Sequence, residues 1–205
     1  MQLDFQGQLR QLSVTHALIF VASCAERMYP NYLAFAQSQQ WGNPEVLRNG
    51  LDTLWFLASG KVLREEEIQS LIESCQEVVP DSEDFRSLLT SAAQYAVIAV
   101  VHGLSCYLEQ DGSLAEQVSV AALETVRDYL YQVNSVTIEP HAQNTELEEW
   151  IERSPLLRAE QDHQEQDLAL LTSMSEDDTK LQDTLHQSSL LGGIRPLDRG
   201  FYAVV

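Results

Sequence analysis

The sequence predicts an all-α fold, a single-domain multi-helix bundle with two apolar central helices. Three observations carry this. Apolar residues recur at spacings of three and four along most of the chain, and few segments alternate apolar with polar. Two stretches, Ala17 to Ala25 and Ala92 to Val101, are apolar on nearly every side, the mark of helices buried at a domain centre. Capping residues paired with prolines or acids mark a series of helix starts. With 205 residues, 44% of them hydrophobic, the chain can bury a sizeable core, and its length suits one domain. That domain is expected over 1–190, with a C-terminal tail over 191–205.

The first helix is expected from Asp4 or Ser13 to Met28. Pro30 should end it and open a short successor, Asn31 to Ser38. Asn43-Pro44-Glu45 supplies an N-cap, a first-position proline and a first-turn acid for a third helix. Its inner side carries Val46, Leu47, Leu51, Leu54, Trp55 and Ala58, and Gly60 can cap its end. Arg64 to Val78 reads as a surface helix with Ile68, Leu71, Ile72 and Cys75 facing inward, broken by Pro80-Asp81-Ser82. Asp84 to Leu108 is polar at first and then apolar all round, the second central helix. Asp111-Gly112 turns the chain, and Ser113 caps a helix reaching Gln132.

Asn134 to Pro140, rich in β-branched residues, reads as a loop. Thr145-x-x-Glu148 is a capping box opening a short helix through Ile151. Ser154-Pro155 restarts the chain into a polar helix from Leu156 to Ser173, and Ser175-x-x-Asp178 opens a last helix to Leu190. Gly192-Gly193 then releases a tail ending in Phe201, Tyr202, Val204 and Val205. These apolar residues should pack on their own domain or cover a second copy, which gives a homodimer as the expected assembly.

The most distinctive motif is Cys24-Ala25-Glu26-Arg27-Met28-Tyr29-Pro30-Asn31-Tyr32, an acid–base pair, two tyrosines and a proline closing an apolar run. With Trp41-Gly42-Asn43-Pro44 and Leu51-Asp52-Thr53-Leu54-Trp55 downstream, it resembles the YjaG-like family of small bacterial proteins, the domain-of-unknown-function family DUF416. The resemblance is strongest from Ala22 to Trp55, continues weakly to Leu170 and fades after Ser175. It implies a fold and no chemistry.

A net charge of −19 and a pI near 4.4 bound the partners. Such a surface repels phosphate backbones and anionic lipid, so neither nucleic acid nor membrane is expected as a partner. Residues 1–100 carry 6 basic and 12 acidic groups (−6), and 101–205 carry 6 and 19 (−13). Cys24, Cys75 and Cys106 form no CxxC pair and no zinc spacing, which fits free thiols in a reducing cytoplasm. Val21-Ala22-Ser23-Cys24 imitates a lipoprotein cleavage box, but Asp4 offsets Arg10 and His16 sits beside the apolar run. No apolar stretch reaches the ~18 residues needed to cross a bilayer.

Candidate site residues centre on Arg27. On a helix His16, Phe20, Ser23 and Arg27 fall on one stripe. A central Arg27 needs a partner, and Asp52, within an apolar helical face, is the candidate; Glu26 is nearer in sequence but points elsewhere. The structural reading is an ion pair locking two helices at their crossing. The functional alternative is a small anion site built from Arg27, His16, Tyr29 and Tyr32, since arginine grips carboxylate and phosphate with two prongs. No Gly-rich phosphate loop accompanies it. His102, in the apolar helix, reads as a core residue bonded to a carbonyl, and Gly103 beside it permits close packing.

Glu160-Gln161-Asp162-His163 has the Glu-x-x-His spacing of di-iron bundles, but that chemistry needs two copies and two further glutamates. The segment reads instead as a solvated acidic face, and no metal or other cofactor is expected. No nucleophile elbow, kinase signature or His-Glu-x-x-His is present. Cys24 lies toward the end of its expected helix, where the dipole raises a thiol pKa. The Tyr29, Tyr32, Phe35 and Trp41 stripe reads as core or interface. Catalytic residues are therefore not expected. The leading expectation is a non-enzymatic cytoplasmic binding or interaction protein, and the rival is a small-ligand binder or enzyme using a helix-lined pocket near Arg27, His16 and His102.

Overall fold

The structure, a computed structural model, describes residues 4–135, 144–173, 175 and 179–192. Of the described residues 80% are helical and none is in a strand. The helices are α1 (Phe5–Leu9), α2 (Val14–Gln39), α3 (Pro44–Ala58), α4 (Glu65–Gln76), α5 (Thr90–Glu109), α6 (Leu114–Ser135), α7 (Asn144–Glu152), α8 (Pro155–Ser173) and α9 (Thr179–Gly192). α2 and α5 pack against each other at the centre of a helical bundle, with α3, α6, α8 and α9 around α2.

Both expected N-termini of the first helix are used. Asp4 caps α1, accepting from Gly7 N at 2.8 Å, and Ser13 caps α2, accepting from His16 N at 3.3 Å. The break expected at Pro30 is absent. α2 runs continuously from Val14 to Gln39 with Pro30 inside it. The proline has no N–H to offer the Glu26 carbonyl, but Met28, Tyr32 and Phe35 on either side of it are wholly buried. Burial of three large side chains outweighs one missing hydrogen bond.

The Trp41-Gly42-Asn43-Pro44 motif acquires a physical account here. Tyr32 Oη donates to the Val78 carbonyl at 2.9 Å and accepts from Asn43 N at 3.2 Å. Gly42 has φ +90°, and a Cβ there would lie 2.6 Å from Tyr32 Oη. Only glycine permits both the backbone angle and the hydroxyl's approach. Asn43 Oδ1 then accepts from Glu45 N at 3.1 Å, and Pro44 opens α3. Phe35, Trp41 and Phe85 pack edge to face and tilted beside this corner, with centroids 5.0–6.1 Å apart.

Other boundaries shift. α5 begins at Thr90 and not at Asp84, because the Thr90 hydroxyl donates to the Phe85 carbonyl and accepts from Ser87 N, holding residues 85–89 in turns. α6 extends to Ser135, into the expected loop; the rest of that loop lies outside the described residues. α9 starts at Thr179 and ends at Gly192, which is therefore helical. The tail residues Phe201 to Val205, and with them the observation behind the homodimer, lie outside the described residues. The expectation about membrane-spanning length is also corrected. By length and composition α5 could cross a membrane, with mean hydropathy 1.3, and 50% of its apolar window is buried in the fold.

Candidate functional site

Glu26 and Arg27 are neighbours on α2, so their side chains leave the helix about 100° apart. Each enters a different polar network, and the two networks hold α2 from two sides.

Arg27 is 1% exposed. Its Nε donates to Glu160 Oε2 at 3.0 Å and one Nη2 hydrogen to Glu160 Oε1 at 2.9 Å. Nη1 donates to Ser23 Oγ at 2.8 Å and to Asp167 Oδ2 at 2.9 Å, and Nη2 reaches Cys24 Sγ at 3.4 Å. A guanidinium has five N–H donors, and all five are engaged. The network continues outward. Ser23 Oγ donates to Asp167 Oδ2 at 2.8 Å, and Gln164 Nε2 donates to Glu160 Oε1 at 2.9 Å and to the Ser119 carbonyl at 3.2 Å. Ser119 Oγ in turn donates to Gln164 Oε1 at 2.6 Å. Side chains of α2, α6 and α8 thus share one buried polar cluster.

Its electrostatics follow from depth and charge. Burial alone would lower the Arg27 pKa, but Glu160 and Asp167 reverse the effect and hold the guanidinium charged. Burial raises the Asp167 carboxyl above its ordinary value, against the pull of Arg27 and Ser23. Burial likewise pushes the Cys24 thiol far up. The helix dipole expected to do this is not the cause, because α2 continues to Gln39 and leaves Cys24 in mid-helix.

The second network is built on Glu26, 5% exposed. Arg48 of α3 grips it bidentately, Nη1 to Oε1 at 2.6 Å and Nη2 to Oε2 at 3.0 Å. Trp55 Nε1 donates to Oε2 at 3.1 Å, and His186 Nε2 of α9 lies 3.8 Å away. The His186 ring stacks on Trp55 with centroids 4.4 Å apart. Arg48 also bonds Asp52 at 2.8 Å and sits 5.3 Å over the Tyr29 ring.

The expected Arg27–Asp52 pair is therefore corrected. Asp52 points to solvent, its side chain 62% exposed, and pairs with Arg48 one turn earlier. Arg27 takes Glu160 and Asp167 instead. The expected solvated face on α8 is corrected with it: Glu160, Gln164 and Asp167 are 1–3% exposed, on the side that also carries Leu157, Leu168 and Leu171. The signal was present, since these residues recur at spacings of three and four. Both Glu160 oxygens are taken by Arg27 and Gln164.

Of the remaining candidates, Tyr32 holds the α2–α3 corner and Tyr29 Oη donates to the Pro44 carbonyl at 3.3 Å. His16 is half-buried one turn into α2, its Nε2 buried without a hydrogen-bond partner. It lies eleven residues from Arg27, ~16 Å along the helix axis. His102 lines an open groove between α5 and α6, with its pKa lowered by burial. The groove's lining includes neither Arg27 nor His16.

The chain is 25% identical over 174 residues to the uncharacterized protein YjaG of Salmonella typhimurium, a match covering 83% of this chain and 88% of that protein. It is 32% identical over 78 residues to the uncharacterized protein YjaG of Escherichia coli K12, covering 38% of this chain and 39% of that one. The crystal structure of a DUF416 family protein from Shewanella baltica superposes with a TM-score of 0.80 at 19% identity, over 93% of this chain and 95% of that one. The family model described as a protein of unknown function (DUF416) matches residues 4–195, and the chain belongs to that family.

Proposed function

We propose that this protein is a non-enzymatic interaction module of the cytoplasm, acting through its surface and not through a buried reaction site. One observation supports the reading above the others. Arg27, the residue best suited to seize a small anion, spends all five donors on Ser23, Cys24, Glu160 and Asp167. A ligand carboxylate would have to displace a buried internal one, at the cost of an uncompensated charge. Arg27, His16 and His102 also sit on separate parts of the fold, against the rival of a shared helix-lined pocket. The charge of −19 favours partners with basic surfaces and disfavours nucleic acid and anionic membranes. Homodimer formation belongs to the same reading.

The test pairs a pull-down from native lysate with a thermal-shift screen of phosphate, carboxylate and nucleotide metabolites. A protein partner captured reproducibly at physiological salt, with no metabolite shifting the melting temperature, is the expected result. A small anion that raises the melting temperature in a saturable way would overturn the reading in favour of a ligand site.

A further inference from the structure

We infer that the open groove between α5 and α6 is a docking surface for a cationic amphipathic helical segment of a protein partner. The inference rests on the interaction-module reading and gives it a place and a chemistry.

α5 is apolar all round, yet only half of its apolar window is buried. The part left partly uncovered includes Tyr95, Ile98 and His102, which face Val120 and Ala121 of α6 across a groove of about 370 Å³. Tyr95, Ile98, Val120 and Ala121 thus give the groove a mainly apolar floor beside Gln117 and His102. Val120, at the centre of this floor, is 43% exposed.

The rim is acidic on balance. Glu116 and Glu124 line the groove, Asp128 bonds Tyr95 of the lining, and the charge of Glu109 acts on His102. Two arginines stand against these four carboxylates, and both are engaged: Arg10 with Glu116, Arg127 with Glu124 and Glu152. The carboxylates keep a surplus of two over the arginines, beside an apolar floor. That pattern complements lysines or arginines flanking apolar anchors. It disfavours a second copy of this chain, which would bring the same acids, and it repels nucleic acid and anionic lipid.

The shape fits a helix. Glu116 to Glu124 spans eight residues of α6, about 12 Å, or roughly two turns of an occupant lying along the groove. Such an occupant would place apolar side chains at i, i+4 and i+7 on the floor. A contact of two turns lies at the small end of interfaces, so the complex should be weak and salt-sensitive.

The test uses the full chain, isotopically labelled, and a fluorescent synthetic peptide of leucines and lysines at helical spacing. A scrambled peptide of identical composition controls for net attraction to an acidic protein. The ordered peptide should bind at least tenfold more tightly than the scrambled one, with amide shifts concentrated on Tyr95 to His102 and Glu116 to Glu124. Val120→Lys should weaken it at least tenfold, whereas Val62→Lys, 76% exposed and before α4, should leave it unchanged. Both positions are exposed enough for the variants to fold, which an unchanged circular dichroism spectrum verifies. Equal binding of the two peptides, shifts spread over other acidic surfaces, or indifference to Val120→Lys would each overturn the inference. A lysate partner that still binds the Val120→Lys chain would also refute the groove, while the broader interaction reading survives.

Discussion

Arg27 holds Glu160 side on, its Nε and Nη2 meeting the two carboxylate oxygens at 3.0 and 2.9 Å across 133 residues of sequence. This two-pronged contact seats α8 against α2, and Asp167, about two turns further along α8, takes Nη1 at 2.9 Å.

Removing the arginine should therefore unseat α8. Arg27→Ala leaves two buried carboxylates unpaired and should cost about 3–5 kcal/mol. Glu160→Gln should cost less, and the double variant less than the sum of its parts, because both changes break one interaction. Asp52→Asn, at an exposed pair, should cost under ~1 kcal/mol and add independently to Arg27→Ala. Denaturant midpoints of these proteins check all three statements.

Asp167 should leave a trace in the pH dependence of stability. Burial raises its folded-state pKa above the unfolded value near ~3.9. The protonated form is thus favoured by folding, so this contribution is fully present below the unfolded pKa and is lost as pH rises through the folded one. Asp167→Asn does not titrate. Its stability relative to the parent should rise as pH increases from about 3 through the carboxylate range to neutrality. Paired urea melts across that range measure it, and a flat difference would contradict the assignment.

The three cysteines should be inert in the native protein. Cys24, Cys75 and Cys106 are buried, and burial pushes Cys75 up to about 11 and Cys106 up to about 12, with Cys24 higher still. Few thiolates exist at pH 8 and none is accessible. Titration with a chromogenic disulfide should report no reactive thiol in buffer and three in denaturant.

Gly103 should not tolerate a methyl group. A Cβ there would lie 2.7 Å from Val21 Cγ1 and 2.8 Å from both Leu54 δ-carbons. These belong to α2 and α3, so the glycine lets three helices meet. Gly103→Ala should destabilise by about 1–3 kcal/mol through overpacking, even though alanine is the better helix former. Thermal unfolding decides the sign.

Much of this was legible in the residues, and the failures share one cause. Asp4, Ser13 and Asn43 announce their helices because capping is local chemistry. Ala17–Ala25 and Ala92–Val101 announce the centre because apolar burial leaves a composition signature. The need for a partner at Arg27 follows from its surroundings. Its identity does not, because a pattern of apolar spacing is blind to a buried stripe made of Glu160, Gln164 and Asp167. Asp52 looked inward because Leu51 and Leu54 do, yet one residue moves a helix position by about 100°. Pro30 read as a helix end because the proline rule is local, and the burial that overrides it is not.

The span between Arg27 and its partners also constrains how the chain is made. Asp167 follows Arg27 by 140 residues. At roughly 5–20 residues per second, synthesis leaves the arginine without its carboxylates for about 7–28 s. During that interval α2 and α5 can already meet, since both precede α8 in the chain. The nascent N-terminal part then carries an apolar helix with an unanswered charge in its middle. A polypeptide released before Glu160 would keep the Arg27 charge without either of its carboxylate partners.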